Sequence, residues 1–220
     1  MSQVRILSPR PGSKGPLRSS GRSIGRPSTR PPRWIILGTV AHLFVPAASG
    51  RSKCRGCAQP IKRGELRFGE CLPNLFGEGE MTLWFHPLCA AYKRPQSLLE
   101  GLATTTEDVP GRAELEQAAR RSAAHRRVPR IDGAELSPSG QARCRSCHEP
   151  IVRGHWRIRI MLYEEGRFFP GGYIHLACRQ TYFETDDLLD QILHFSPALS
   201  DAERQELIHA LKTDSGLEFL

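Results

Sequence analysis

Two sets of cysteine and histidine residues have the spacing that a tetrahedral metal ion needs. The first set is Cys54-x2-Cys57 followed, after 28 residues, by His86-x2-Cys89. The second set has the same order with a gap of 27 residues, and its members are Cys144, Cys147, His175 and Cys178. Three thiolates and one imidazole are ligands that structural zinc sites use, and close pairs of ligands can face one ion. The sequence therefore predicts two Zn²⁺ ions per chain.

These predicted sites are closed, because protein side chains fill all four positions around each ion and leave none for water or substrate. We therefore expect structural zinc, no catalytic residues and no enzyme activity. Thioredoxin-like redox chemistry is an alternative use of Cys-x2-Cys, but it does not explain the His-x2-Cys pairs. Iron–sulfur ligation is a further alternative, although it seldom uses histidine. The seventh cysteine, Cys71, is predicted to be a packed side chain.

The residues around the ligands are also repeated. Residues 54–69 read CRGCAQPIKRGELRFG and residues 144–159 read CRSCHEPIVRGHWRIR, with half of the positions identical. Such a repeat indicates a duplicated module. Each copy is too small to bury a large core, so metal binding must contribute to its folding. His148 and His155 have no counterparts in the first copy, and we expect both on the surface.

The elements that position the ligands can be placed from local signals. A helix that begins near Pro87 should end before Pro95, since proline disfavours helix at the residue before it. The stretch 111–127, GRAELEQAARRSAAHRR, predicts a connecting helix. Thr185 and the Ser200/Glu203 capping box predict two further helices near the C-terminus. We therefore expect small α+β zinc-stapled modules at 40–97 and 131–184, a helical linker at 98–130 and an acidic helical tail at 185–220.

Residues 1–39 are rich in Pro, Gly, Ser and Arg, a composition that predicts disorder. Trp34–Val45 is apolar and precedes PAASG, which we interpret as a strand entering the first module, with a secretory signal as the alternative. This run is too short to span a bilayer. The phrase VRILSPRP resembles those produced when reading frames extend through structural-RNA genes, and Val40 is an alternative start. Whether residues 1–39 are expressed therefore stays open.

Charge is distributed unevenly along the chain. The net charge of +8 comes entirely from residues 1–39, which hold eight Lys and Arg and no acid, so the remainder balances 23 basic against 23 acidic residues. Residues 40–97 carry eight bases and four acids, whereas residues 185–220 carry two and eight. The first module is therefore expected to attract a polyanion, and the tail to repel one.

The modules resemble the PARP-type zinc finger. The resemblance rests on Cys-x2-Cys, on P-I-x-R-G-x-x-R and on the stretch Trp84-Phe85-His86-Pro-Leu-Cys89. That family includes the DNA-break-sensing fingers of poly(ADP-ribose) polymerases and of certain DNA ligases. The resemblance covers residues 45–97 and 135–184. It implies two fingers, each a small antiparallel sheet with helices held by one zinc ion. Such a finger grips the DNA backbone at a break and stacks apolar side chains on exposed bases.

The resemblance also implies particular contacts with DNA. SGRSKC matches the family's approach to the first ligand and makes Arg51 the leading phosphate contact, with Arg67 second. Phe76 and Met81 are the base-stacking candidates. The second module has Gln141 in place of Arg51, so the first module is expected to dominate binding, while Phe168 and Phe169 can still stack on bases. The predicted DNA-binding residues are Arg51, Lys53, Arg55, Arg67, Phe76, Met81 and Arg157.

These observations favour a non-enzymatic, zinc-dependent DNA-binding protein that recognises nicked, broken or distorted duplex through its backbone and exposed bases. The alternative is a zinc-stapled interaction or regulatory scaffold that meets a protein partner through the second finger or the tail. RNA is a third candidate partner, and no membrane partner is expected. Zinc thiolates suit a reducing compartment, which means the nucleus in a eukaryote or the nucleoid in a prokaryotic cytoplasm.

Overall fold

Two three-stranded antiparallel sheets organise the protein, one in each zinc module. The computed structural model describes residues 41–74 and 77–213. Our expectations for residues 1–39 and for Phe76 fall outside these ranges. The described residues belong to one compact unit, Thr39–Leu220.

The first module contains three strands and three helices. They are β1 (Leu43–Pro46), β2 (Leu66–Pro73), β3 (Glu80–Phe85), α1 (Pro87–Lys93), α2 (Pro95–Thr104) and α3 (Arg112–Ala124). Proline occupies the first turn of both α1 and α2, where its missing N–H has no intrahelical partner to lose. The break between these two helices falls at Arg94, as the sequence predicts.

The core of the first module extends beyond its predicted boundary. Leu98 and Leu102 of α2 are 0% and 1% exposed, and they pack in the same cluster as Phe68 and Phe85 of the sheet. Leu115 of α3 is buried in that cluster too. The stretch 98–130, which we predicted as a helical linker, contains most of α2 and all of α3, and both helices pack in the core of the first module.

The second module has the same strand order. Its elements are β4 (Ile131–Leu136), β5 (Trp156–Glu164), β6 (Arg167–His175), α4 (Arg179–Phe183), α5 (Leu189–His194) and α6 (Asp201–Thr213). A two-residue turn, Glu165–Gly166, joins β5 to β6, and both residues have positive φ. This left-handed geometry suits a tight hairpin and is easiest for glycine.

The predicted acidic tail is folded onto the second module. Leu188, Ile192 and Leu207 are almost fully buried in its core, and Leu211 is 8% exposed. The Ser200/Glu203 capping box is present: the backbone N–H and hydroxyl of Ser200 both donate to the Glu203 carboxylate, which starts α6. Thr185 accepts a hydrogen bond from the Asp187 N–H, whereas α5 itself begins at Leu189.

The two modules are in direct contact. Lys93 Nζ, at the end of α1, donates to the carbonyl of Ile131 at 2.6 Å and pairs with Asp132 at 3.1 Å, both in β4. Phe168 of β6 packs against the core of the first module, and Phe195, which follows α5, is buried in that core. The second module and the segment after it therefore complete the core of the first.

A close backbone approach fixes the position of Phe195. Gly133 in β4 has φ +96°, and a methyl group there would meet the Phe195 carbonyl oxygen at 2.2 Å. Only glycine can adopt this conformation at this distance. The segment after α5 therefore lies directly on β4.

Across the described ranges, none of the helices combines the length and the apolar character required to cross a lipid bilayer.

Candidate metal centres and basic groove

The first predicted ligand set comes together as one site. The ligand atoms of Cys54, Cys57, His86 and Cys89 all lie within 4.8 Å of one another. Cys54 and Cys57 occupy a tight turn in which the Ala58 N–H donates to the Cys54 carbonyl at 2.8 Å. The other two ligands lie at the start of α1, with His86 at its N-cap. The site therefore joins the turn, the end of β3 and the first helix.

The second ligand set forms a site with the same construction. The ligand atoms of Cys144, Cys147, His175 and Cys178 also lie within 4.8 Å of one another. The His148 N–H closes the turn on the Cys144 carbonyl at 3.0 Å. The second site is more open, because Cys147 is exposed whereas Cys54 and Cys89 of the first site are each 1% exposed. His148 and His155 lie on the surface, as predicted.

Backbone groups stabilise negative charge on the first cysteine of each site. The N–H groups of Gly56 and His86 both donate to Cys54 Sγ at 3.3 Å. Ser146 and His175 donate in the same way to Cys144 Sγ, at 3.3 and 3.4 Å. Hydrogen bonds of this kind favour the thiolate, which is the form of cysteine that binds a metal.

Each histidine presents Nδ1 to its cysteine neighbours and Nε2 to an outer partner. His86 Nδ1 lies 3.4 Å from Cys57 Sγ, and its Nε2 lies 3.7 Å from the Glu65 carboxylate. In the second site, His175 Nε2 lies 3.2 Å from the Pro150 carbonyl oxygen. An outer acceptor fixes the ring so that Nδ1 faces the metal. The donor set and its orientation therefore fit Zn²⁺ at both sites.

Proton sharing among the cysteines of each site shows why a cation belongs there. Hydrogen bonds from Cys57 first, and then from Cys89, lower the pKa of Cys54 to about 3. The hydrogen bonds with Cys54 and Cys57, together with burial, raise the pKa of Cys89. Burial raises the pKa of Cys178 to about 12. Some thiols thus retain their protons near their neighbours' thiolates, and a divalent ion that displaces these protons removes the repulsion among the sulfurs.

One residue near the first site has no signal in the sequence. His194, the last residue of α5, places its Nε2 3.1 Å from Cys89 Sγ. The two residues are 105 positions apart. Neither a spacing rule nor the internal repeat could have indicated this contact.

A basic groove lies beside the first zinc site. Its volume is about 700 Å³, and both modules line it. The first module contributes Lys53, Arg55 and Trp84, and the second contributes Arg167, Phe168 and Phe169. We call the part lined by Lys53 and Arg55 the cationic side and the part lined by Phe168 and Phe169 the aromatic side.

Three of the predicted phosphate contacts have exposed side chains: Arg51, Lys53 and Arg55. Lys53 and Arg55 line the groove, and Arg51 directly precedes the lining residue Ser52. The fourth, Arg67, is half-buried; its guanidinium lies 3.6 Å from the centre of the Trp84 ring, and Nη1 donates to Ser52 Oγ at 3.2 Å. Lys53 and Arg55 thus line the groove, and Arg51 and Arg67 adjoin its lining residue Ser52.

Two other predicted contacts have positions that argue against their assigned roles. Met81 is half-buried, and a methyl group at Gly166 would approach its Cε to 2.8 Å, so the hairpin turn of the second module covers it. The Arg157 side chain is 5% exposed, pairs with Glu135 and lies 3.5 Å from the centre of the Tyr173 ring. Arg157 therefore stabilises the second module from within, and a base cannot reach Met81 without moving that turn.

Cys71 is the packed residue that the sequence predicts. It is 6% exposed in β2, and its sulfur has only weak neighbours, the Gly69 carbonyl at 3.9 Å and the Thr82 hydroxyl at 3.7 Å. It is not a member of either metal-ligand group.

Two closed Cys3His sites, each joining a small sheet to a helix, define a zinc-finger protein. The model of the zf-PARP family, described as the "Poly(ADP-ribose) polymerase and DNA-Ligase Zn-finger region", matches residues 46–125. Residues 46–125 are therefore similar to the PARP-type zinc finger. The match includes α2 and α3, in agreement with the extended core of the first module.

Known relatives are much longer proteins. A "Poly [ADP-ribose] polymerase" of Sarcophaga peregrina is 26% identical over 133 residues, which cover 53% of this chain and 13% of the relative. "Poly [ADP-ribose] polymerase 1" of Oryza sativa subsp. japonica is 29% identical over 138 residues, which cover 60% and 14%. A Drosophila melanogaster relative with the first of these names is 25% identical over 157 residues, which cover 63% and 16%. The similarity thus spans less than a fifth of each relative's length.

Proposed function

We propose that this chain is a non-enzymatic, zinc-dependent DNA-binding protein that recognises nicked, broken or distorted duplex. The observation that carries the proposal is the groove that Lys53 and Arg55 of the first module line together with Phe168 and Phe169 of the second. Cationic side chains attract the phosphate backbone, and aromatic rings stack on bases that have lost a stacking neighbour. The similarity of residues 46–125 to the PARP-type zinc finger supports the same proposal.

The cationic side of the groove is arranged for phosphate. Arg51, Lys53 and Arg55 have exposed side chains, so they can contact the DNA backbone without losing packing in the protein core. Arg67 is held by Trp84 and Ser52, which pre-orients its guanidinium. Phosphate affinity increases with the number of cations that reach the backbone, and it falls as salt rises.

The aromatic side of the groove favours interrupted duplex. Phe169 is 44% exposed, whereas Phe168 packs against the first module. A base–aromatic stack contributes about 1–3 kcal/mol, and a base becomes accessible for it where the duplex stack is broken. An intact duplex offers the same phosphates but few open base faces, so a preference for breaks should depend on Phe169.

Arg167 of the second module lines the groove, whereas three other arginines of that module are engaged elsewhere. Arg157 pairs with Glu135, Arg145 Nε donates to the Gly171 carbonyl, and Arg159 donates to the carbonyl of Asp132. With Gln141 in place of the first module's Arg51, the second module supplies the aromatic side more than the cationic side. A DNA partner implies a location in the nucleus of a eukaryote or at the nucleoid of a prokaryote.

Fluorescence anisotropy of the zinc-loaded full chain tests the proposal. Nicked and gapped duplexes should bind more tightly than the intact duplex, and every affinity should fall as salt rises. Arg55→Gln should weaken binding to all of these DNAs and reduce the salt slope by about one. Arg120→Gln is the matched control, because Arg120 lies on α3 with a 71% exposed side chain outside the groove.

A second pair of variants tests the stacking role. Phe169→Ala should weaken binding to nicked duplex and leave intact duplex unaffected, whereas Val152→Ala, which shortens a 56% exposed apolar side chain, should change neither. The shortened chain 40–220 should keep the preference for nicks, since the groove lies outside residues 1–39. Equal affinity for nicked and intact duplex, or wild-type binding by Arg55→Gln, would contradict the proposal and favour the interaction scaffold.

A further inference from the structure

One contact reaches the first zinc centre from the segment that follows the second module. His194 Nε2 lies 3.1 Å from Cys89 Sγ, at the end of α5. Cys89 is 1% exposed, so the neighbour of its sulfur on this side is an imidazole and not bulk water. The first zinc centre therefore has a residue at its edge that belongs to neither of its own sequence motifs.

His194 approaches this sulfur from outside the ligand tetrahedron. The four ligand atoms of the first centre lie within 4.8 Å of one another, and His194 is not a member of that group. Nε2 is thus placed to share a hydrogen bond with this sulfur and not to act as a fifth ligand. Cys54 Sγ receives its hydrogen bonds from the backbone N–H groups of Gly56 and His86. Cys89 receives the corresponding interaction from a side chain.

Both modules hold the imidazole in place. The His194 ring packs against Tyr92 of α1 and against Phe195, with centroid distances of 5.3 and 4.8 Å. The Phe195 carbonyl accepts a hydrogen bond from Arg159 Nη2 at 3.2 Å, and Ser196 Oγ accepts one from the Ala134 N–H at 2.8 Å. Packing and hydrogen bonds on both sides therefore hold the imidazole, so it has little conformational freedom to lose when it bonds the sulfur.

The second zinc centre provides an internal comparison. Within residues 41–74 and 77–213, the hydrogen-bond neighbours of Cys178 Sγ are its own co-ligands: His175 at 3.9 Å and the thiols of Cys147 and Cys144. No imidazole from outside the centre contacts Cys178 in these ranges, and Cys147 is exposed. The two centres thus have the same four ligands and different outer surroundings.

We propose that His194 is an outer ligand of the first zinc centre, which means that it donates a hydrogen bond to the metal-bound Cys89 thiolate and slows the loss of this zinc ion. The hydrogen bond draws negative charge from the sulfur, and the ring covers it. Removing an outer partner of a metal ligand typically lowers metal affinity by about 10–100-fold. The second centre, which lacks such a partner among the described residues, releases its zinc first.

The same contact couples zinc binding to the packing of the two modules. Any interaction that makes zinc bind more tightly when α5 is docked also makes α5 dock more tightly when zinc is bound, by the same factor. Loss of zinc from the first centre therefore loosens α5 and the segment around Phe195. This inference concerns zinc retention, and it does not depend on whether the protein binds DNA.

Zinc release from the full, zinc-loaded chain tests the proposal. An excess of chelator with a colorimetric zinc indicator should show two phases of equal amplitude, the slower one belonging to the first centre. His194→Phe fills the same space without a donor, and it should accelerate the slow phase about tenfold or more while leaving the fast phase unchanged. His194→Gln retains a side-chain N–H and should stay closer to wild type.

Cysteine labelling assigns the phases to the centres. During chelation, samples are pulsed with N-ethylmaleimide, and the labelled positions are identified by mass spectrometry. Cys178 should be labelled in the fast phase, and Cys89 should become labelled earlier in His194→Phe than in wild type. His209→Phe, on the exposed side of α6, is the control for adding a phenyl ring and should change neither phase.

The outcomes separate hydrogen bonding from packing. If His194→Phe releases both ions with wild-type kinetics, His194 has no role in zinc retention and the proposal is overturned. If His194→Gln is as fast as His194→Phe, the hydrogen bond is not what retains the ion. Should either variant fold poorly, wild type still gives a result, because fast-phase labelling of Cys89 would contradict a protected first centre.

Discussion

Replacing Arg94 with methionine should leave a carboxylate buried without its cation. Glu70 is 0% exposed in β2, and it accepts hydrogen bonds from Arg94 Nε at 2.8 Å and from Arg94 Nη2 at 2.6 Å. Ser97 Oγ donates to the same carboxylate at 2.6 Å. The Arg94 guanidinium also lies 3.9 Å from the centre of the Tyr163 ring, so it connects the first module to the second.

The magnitude follows from this burial. Removing one partner of a buried ion pair costs about 3–5 kcal/mol, because the remaining charge is left without compensation. Loss of the contact with Tyr163 adds about 0.5–2 kcal/mol, and the methionine side chain recovers part of this by packing. We therefore expect Arg94→Met to lower the free energy of unfolding by about 3–5 kcal/mol.

Urea unfolding of the zinc-loaded protein, followed by circular dichroism, measures this change. The matched control is the double variant Glu70→Met/Arg94→Met, which removes both charges and replaces them with apolar groups. Replacing both partners can be nearly neutral, so the double variant should recover most of the loss. A loss below about 1 kcal/mol in the single variant, or a double variant no more stable than the single, would refute the reasoning.

Two further predictions concern a buried hydroxyl and the protons of the zinc sites. Tyr163→Phe should leave the melting temperature unchanged or raise it, because the Tyr163 hydroxyl is buried with no hydrogen-bond partner among the described residues; a lower melting temperature would show that the hydroxyl is bonded in solution. Burial raises the pKa of Cys178 to about 12, so this thiol holds a proton at neutral pH that zinc must displace. Zinc affinity of the second centre should therefore fall about tenfold or more for each pH unit of acidification, and a chelator competition that shows no pH dependence would contradict this.

Features that depend on local sequence were predictable. All eight zinc ligands lie where the spacing of Cys-x2-Cys and His-x2-Cys placed them, because each pair is held by a single turn or by the start of a helix. The helix break before Pro95 and the capping box at Ser200 are likewise set by residues a few positions apart. The physical causes of these features lie within one turn of chain.

Features that depend on pairing between distant segments were not predictable. Arg67 and Arg157 hold the same position in the repeated phrase, but Arg67 pairs across the sheet with Val45 and Arg157 with Glu135. The carboxylate opposite Arg157 pairs with its guanidinium, whereas Val45 offers Arg67 no such partner. The register is the same in both modules, so the side chain opposite the arginine decides this difference, and that side chain lies outside the repeated phrase.

The extent of the first module was missed for a related reason. The apolar residues of α2 and α3 predict helices with a buried face, but they do not tell which core that face meets. The same holds for Phe168 and Phe195, which come from the second half of the chain and pack against the first module. Tertiary packing assigns these residues, and single-sequence patterns do not.

The position of Phe195 has a consequence for synthesis on the ribosome. Domains generally fold in the order in which they are made. Here the strands and helices of the first module are complete at Ala124, but the core still lacks Phe195, and Cys89 still lacks its imidazole neighbour. The module that is translated first therefore reaches its final packing only after about seventy further residues have been added. We expect the two fingers to complete their folding at the same stage of synthesis.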